Sequence, residues 1–117
     1  MNPVQELAFE QMRHATFNEF NGEKVVEDLR KYPDIWEACY MTRIGDLIML
    51  RDMSGGYWNI DTLFVLCNGL KSVINLENIA KNWEYDEFDL LPEEEAQSLL
   101  GIYGRNLKRY LVRIWWD

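Results

Sequence analysis

The sequence predicts an α+β fold in which helices pack on a mostly antiparallel sheet of about five strands. Apolar residues recur at spacings of three and four in some segments, as in helices, and at a spacing of two in others, as in strands. Three consecutive strands indicate an antiparallel meander, and the helices around it indicate a two-layer sandwich. A length of 117 residues without linker or low-complexity tract predicts a single compact domain over residues 1–117.

The first third of the chain predicts two helices. Asn2 followed by Pro3 is typical of a helix start, with the asparagine as N-cap and the proline at the first helical position. Asn21-Gly22 ends this helix, and a second one covers about residues 23–31. The predicted buried face of the first helix consists of apolar residues at helical spacing: Val4, Leu7, Ala8, Met12 and Ala15.

The middle of the chain predicts three strands. The first begins at Ile35, where the apolar spacing changes to two. A hairpin from Leu47 to Cys67 supplies the other two, with Ser54-Gly55-Gly56 as its loop. A three-residue loop separates an apolar face of the hairpin from a polar one. The polar face carries Arg51, Asn59 and Asp61.

The last third predicts a helix over about residues 73–83, a short strand over 85–90, a helix opened by Pro92 and a strand over 107–116. The predicted order is therefore α-α-β-β-β-α-β-α-β. Trp115 and Trp116 are adjacent on the last strand, so they must point to opposite faces of the sheet. We expect one in the core and the other against solvent, a second layer or a partner.

The composition of the chain argues against several classes of function. The chain has 20 acidic and 12 basic side chains, a net charge of −8, so direct nucleic-acid binding is disfavoured. No apolar stretch approaches the roughly 20 residues of a membrane span, and no secretory signal is visible, so we expect a cytoplasmic protein without membrane contact. Cys39 and Cys67 are then expected to be buried free thiols, and no metal or other cofactor is predicted.

Catalytic residues are not evident in the sequence. His14, the single histidine, lies on a polar face of the first helix, and no serine has the context of a nucleophile. The Ser54-Gly55-Gly56 loop lacks the surroundings of a phosphate-binding motif. We therefore expect a binding protein rather than an enzyme, with no catalytic residue assigned.

Acidic residues are concentrated between residues 84 and 95, where seven carboxylates occur. Glu93, Glu94 and Glu95 are explained by a helix start, because acids in a first turn complement the helix dipole. The acids before them alternate with Tyr85 and Phe88 in the short strand. That strand is either a solvated edge protected by charge or a surface that docks on a basic protein.

The leading hypothesis is a small acidic, non-enzymatic module that binds, and inhibits, a basic partner protein. In size, acidity and mixed α+β order the chain resembles immunity proteins, phage-encoded inhibitors and secretion chaperones; the resemblance extends to composition alone. The alternative is a small-ligand-binding or enzymatic domain with a polar pocket around Arg51, Asn59 and Asp61. A homodimer without another client is a third hypothesis. The predicted partner-binding residues are Trp58, Tyr85, Asp86, Glu87, Asp89 and Trp115.

Overall fold

The computed structural model describes residues 1–43, 50–102 and 109–117, with the backbone alone for residues 16 and 17. The described helices are α1 (Pro3–Arg13), α2 (Gly22–Lys31), α3 (Leu50–Ser54), α4 (Leu70–Ala80) and α5 (Glu93–Leu100). The described strands are β1 (Thr16–Phe17), β2 (Phe20–Asn21), β3 (Ala38–Thr42), β4 (Thr62–Cys67), β5 (Glu87–Leu90) and β6 (Tyr110–Trp115). Among these residues, no helix is long and apolar enough to cross a membrane.

The main sheet has the strand order β3-β4-β6-β5, and every neighbouring pair is antiparallel. Strands β1 and β2 form a separate two-stranded hairpin between α1 and α2. Helices pack against the main sheet, so the predicted α+β class is confirmed. The main sheet contains four described strands rather than about five.

The predicted hairpin from Leu47 to Cys67 is wrong. Residues 50–54 form α3, β4 begins only at Thr62, and residues 44–49 lie outside the described part of the chain. Leucine, arginine and methionine are good helix formers, and they occupy three of the five positions of α3. Gly56 has a φ of 84° and donates its N–H to the Met53 carbonyl. The glycines that indicated a hairpin loop therefore follow the end of a helix, where left-handed glycine is common.

The main core lies on one face of the sheet. Met41, Leu63 and Ile114 are neighbours on three adjacent strands, and each is at most 1 % exposed. Helices α1, α2 and α4 contribute buried side chains to the same cluster. On the opposite face α5 packs Ala96 against Leu111. The central strands β4 and β6 carry apolar side chains on both faces of the sheet, and α5 covers part of the second face.

Helix α1 begins as predicted, since the Asn2 side chain accepts a hydrogen bond from the Gln5 N–H at 2.8 Å. Its buried face differs from the prediction: Val4 and Leu7 are 78 % and 70 % exposed, whereas Gln5 is buried. The Gln5 amide donates to the Cys39 carbonyl (2.8 Å) and accepts from the Cys39 N–H (3.0 Å). Cys39 lies on the edge strand β3, so Gln5 pairs with the sheet edge as a neighbouring strand would.

Candidate functional site

Five of the six predicted partner-binding residues lie on or next to two adjacent strands, β5 and β6, near the end of the sheet where β6 terminates. Thr62, Trp115 and Glu87 form one cross-strand row on β4, β6 and β5. Before β5, the Asp86 N–H donates to the Trp115 carbonyl at 2.9 Å. Before β4, the Asp61 carbonyl accepts from the Trp116 N–H at 3.0 Å. Trp115 and Glu87 therefore share one face of the sheet, and Asp86 lies beside them on the segment that enters β5.

The two adjacent tryptophans point to opposite sides, as the strand pattern predicted. Trp116 is 1 % exposed and packs edge-to-face against Phe20, with the ring centroids 4.7 Å apart. Its indole N–H donates to the Trp83 carbonyl at 2.8 Å. Trp115 is half-buried on the other face, and its indole nitrogen is buried with no hydrogen-bond partner among the described residues. Trp116 thus belongs to the core, whereas the Trp115 indole carries a donor that no described residue engages.

Strand β5 is an edge of the main sheet, since its one described neighbour is β6. The Leu91 N–H donates to the Leu111 carbonyl at 3.0 Å, which fixes the odd-numbered residues of β5 as the ones bonded to β6. The alternating pattern then directs the backbone N–H and C=O of Phe88 and Leu90 away from the sheet. We call residues 84–90 the acidic edge, because four of these seven residues are Asp or Glu.

Charge on the acidic edge is only partly neutralised. Arg113 lies opposite Asp89, with their side chains 3.4 Å apart, and also approaches Glu95 at 3.7 Å. The Asp86 carboxylate accepts a hydrogen bond from the Asp117 N–H at 2.7 Å. Glu87 is exposed, with no ion pair recorded to another described residue. The Arg113 guanidinium is therefore shared between two carboxylates, so the acids among the described residues of the acidic edge are only partly paired.

The predicted aromatic residues lie at the margin of the core. Tyr85 is half-buried and packs against the main core cluster. The centroids of the Tyr85 and Phe88 rings lie 5.7 Å apart. Trp58 lies between α3 and β4, is half-buried against the same cluster, and has a buried indole nitrogen without a partner among the described residues. Tyr85 thus belongs to the acidic edge, and Trp58 lies on the chain segment leading to β4.

The polar cluster of Arg51, Asn59 and Asp61 rested on a strand register that does not form. Arg51 lies in α3, is 89 % exposed and pairs with its neighbour Asp52 at 3.5 Å. The Asp61 carboxylate accepts from the Thr62 hydroxyl at 2.8 Å, and Asn59 is half-buried between Trp58 and Ile60. The cross-strand placement is wrong because Arg51 belongs to a helix rather than to a strand opposite Asn59.

His14 and the two cysteines occupy environments unlike those of reactive groups. The His14 side chain is 73 % exposed at the end of α1 and lies 3.2 Å from Glu10. Cys39 and Cys67 are both buried and free, as predicted. Burial raises the pKa of the Cys39 thiol to about 12 and that of Cys67 to about 11. Both thiols therefore stay protonated near neutral pH, which makes them poor nucleophiles.

Two grooves were missed by the sequence interpretation. A groove of about 460 Å³ lies between α1 and the sheet face that carries α5, and it is predominantly apolar. Its wall includes Val4 and Leu7, the residues expected in the core. A second groove, of about 440 Å³, lies between α2 and α4, and polar and apolar surface contribute to its lining about equally. Three asparagines at helical spacing in α4 and just beyond it were the available signal for the second groove.

Known proteins give no further guide to this site. Comparison with protein families, with characterised proteins and with solved structures found no match for this chain. Among the described residues, no group of three or more His, Cys, Asp or Glu side chains is arranged to hold a metal ion. Functional inference therefore depends on the surfaces themselves.

Proposed function

We propose that this chain is a non-enzymatic protein-binding module whose acidic edge engages a basic partner protein. The observation that carries the proposal is the edge strand β5, which combines outward-facing backbone groups at Phe88 and Leu90 with a negative flank. An edge strand of this kind accepts an extended segment from another chain by continuing the hydrogen-bond ladder. The acidic flank selects a segment that carries lysine or arginine.

Each part of the acidic edge has a distinct role in this proposal. Glu87 and Asp89 lie on one face of β5, so basic side chains at alternate positions of an added strand would meet them. Their negative potential accelerates encounter and sets the orientation of the partner. Trp115, on the same face as Glu87, supplies a half-buried aromatic surface for affinity. Tyr85 and Asp86 extend the surface at the start of the strand.

Inhibition follows when the captured segment is part of the partner's own working surface. Proteins that handle nucleic acid bind phosphates through clustered lysine and arginine. An acidic module that covers such a cluster competes with the nucleic acid for the same charges. We therefore propose an immunity-type or inhibitor action on a partner of this class, exerted in the cytoplasm.

Affinity capture from a lysate of the source cells tests the proposal. The bait is the wild-type chain at low and high salt, beside Glu87→Lys and the control Glu77→Lys. Both substitutions change the net charge equally, but Glu77 lies on an exposed position of α4, away from β5. We expect wild type and Glu77→Lys to retain a basic protein that high salt releases and that Glu87→Lys fails to retain.

Association kinetics with the captured protein then test the electrostatic mechanism. We expect Glu87→Lys to lower the association rate at low salt, with the difference shrinking as salt screens the charges. Equal capture by the two variants would place the interface elsewhere. Absence of any salt-sensitive basic protein from the wild-type capture would contradict the proposed function.

A further inference from the structure

The groove between α2 and α4 carries a row of asparagines whose side chains make no hydrogen bond to another residue in the described part of the chain. Asn75, Asn78 and Asn82 all line it, at spacings of three and four residues. The structure records no hydrogen bond from their side chains to any described residue. Each primary amide offers two donors and an acceptor oxygen. The row therefore holds several donors and acceptors that no described residue engages, on one wall of a groove of about 440 Å³.

The opposite wall is formed by α2 and the residue after it. Its polar side chains include one basic and one acidic residue, whose charges cancel. Lys24 lies 3.8 Å from Asp28, and Asp28 also accepts the Trp83 indole N–H at 2.8 Å. The Trp83 bond ties the end of α4 to α2 and so holds the two walls in place. Tyr32 lines the same wall, is 40 % exposed, and has no recorded hydrogen bond from its hydroxyl. A neutral ligand fits such a groove better than an anion or a cation.

The asparagines are an unfavourable choice for an exposed helix surface. Asparagine has a lower helix propensity than alanine, lysine or glutamate, because its side chain competes for backbone hydrogen bonds. Asn75 and Asn78 lie inside α4, at half-buried and exposed positions where core packing does not dictate the residue. Residues that cost stability and have unused hydrogen-bonding groups are typical of a binding surface rather than of a structural one.

We propose that this amide groove binds a neutral carbohydrate. Sugar hydroxyls on adjacent carbons both donate and accept, which matches amide and carboxylate side chains, and the C–H faces of a sugar ring pack on aromatic and aliphatic surface. Tyr32, whose ring centroid also lies 5.6 Å from the Lys31 ammonium, supplies the aromatic surface, and Ile35 and Ile79 the aliphatic one. The volume of the groove lies within the range of small-ligand sites, about 300–1,000 Å³.

The spacing of the row argues against an extended peptide as the occupant. An extended peptide presents equivalent backbone groups along one edge at every second residue. Side chains that bind this edge therefore meet such groups about 6.6–6.8 Å apart. The rise along α4 is about 4.5 Å from Asn75 to Asn78 and about 6 Å between positions four residues apart, at 1.5 Å per residue. The distances between the asparagines are shorter than the repeat of an extended peptide, and they are unequal. Sugar hydroxyls require no fixed repeat.

Side-chain amide signals in a ¹H–¹⁵N correlation spectrum test the proposal directly. The probes are glucose, mannose, galactose, N-acetylglucosamine and their β-1,4-linked disaccharides, each titrated to tens of millimolar. We expect at least one sugar to shift the NH₂ signals of Asn75, Asn78 and Asn82. The NH₂ signal of Asn68, which lies outside the groove and accepts from Ser72 at 3.1 Å, stays unchanged.

Variants separate binding from folding. Asn78→Ala should weaken sugar binding about tenfold, the effect of losing one or two hydrogen bonds of ordinary net strength, while its melting temperature stays equal or rises. Glu77→Ala, its neighbour outside the groove, should leave binding unchanged. The proposal is wrong if no sugar of the panel shifts the three groove amides. It is also wrong if neutral tripeptides shift them and the sugars do not.

Discussion

The bond between Gln5 and the sheet edge yields the sharpest stability prediction. Gln5→Met keeps an unbranched side chain of similar size but removes both hydrogen bonds to the Cys39 backbone, together with the weaker one from the amide to the Cys39 sulfur at 3.4 Å. Because Cys39 is 5 % exposed, its N–H and C=O would be left buried and unpaired. Each such group costs about 1–3 kcal/mol. Part of this cost is offset because the methionine buries more apolar surface. We therefore expect the free energy of unfolding to fall by about 2–4 kcal/mol.

Urea unfolding followed by tryptophan fluorescence measures this loss, and Gln11→Met is the matched control. Gln11 lies on the same helix, lines the apolar groove and is exposed, so its replacement should change stability by no more than about 0.5 kcal/mol. If Gln5→Met is as stable as Gln11→Met, the amide does not seal the edge of β3 and the argument fails.

A charge variant at the same position gives an independent test. Gln5→Glu keeps an acceptor for the Cys39 N–H but turns a carboxylate oxygen toward the Cys39 carbonyl. A protonated carboxyl restores the missing donor, so the folded state raises the pKa of this Glu above about 4.3. The variant should be destabilised above that pH and approach wild-type stability as the pH falls below it. A constant difference from wild type between pH 3 and pH 7 would contradict this account.

The remaining predictions concern the buried thiols and one glycine. Burial raises the pKa of Cys39 to about 12, whereas an unfolded thiol ionises near 9, so stability is retained below pH 9 and lost as the pH rises toward 12. Wild type should lose about 1.4 kcal/mol more than Cys39→Ala for each pH unit in that interval, measured by urea unfolding, and parallel curves would refute the effect. Cys67, whose pKa is also raised, should act in the same direction. Gly22→Ala would place a Cβ 1.9 Å from the Met12 carbonyl oxygen, so we expect a loss of about 3 kcal/mol or more. Gly69→Ala, with nothing within 4 Å, is the control, and equal melting temperatures would show that the backbone at Gly22 can move.

The acidic edge illustrates how much of a surface can be anticipated from sequence. Alternation of acids with Tyr85 and Phe88 predicted a short strand, and residues 87–90 form β5. The pattern left open whether this strand was an edge, because strand order depends on contacts between distant segments. The tertiary structure places β5 beside β6 alone among the described strands, so no described strand pairs with its outer backbone groups.

Local chemistry determined which segments are helical or extended where a short-range signal was strong. The N-cap at Asn2, the helix end at Lys31 and the opposite orientations of Trp115 and Trp116 all follow from neighbouring residues, and the structure agrees with each. Such features depend on backbone groups and side-chain directions within a few residues. They hold whatever the rest of the chain does.

Tertiary contacts decided the features that the sequence pattern misassigned. A glutamine is buried in place of Val4 and Leu7, because Gln5 is the residue of α1 positioned to bond the open edge of β3. The misassignment of Arg51 has a local cause instead: a glycine with positive φ follows helices and occurs in hairpin loops alike, so Gly56 did not distinguish the short helix α3 from a strand. The spacing of apolar residues identifies the apolar side of a helix. Which side chain of that helix is buried against a sheet edge depends on the unpaired backbone groups of a strand distant in sequence.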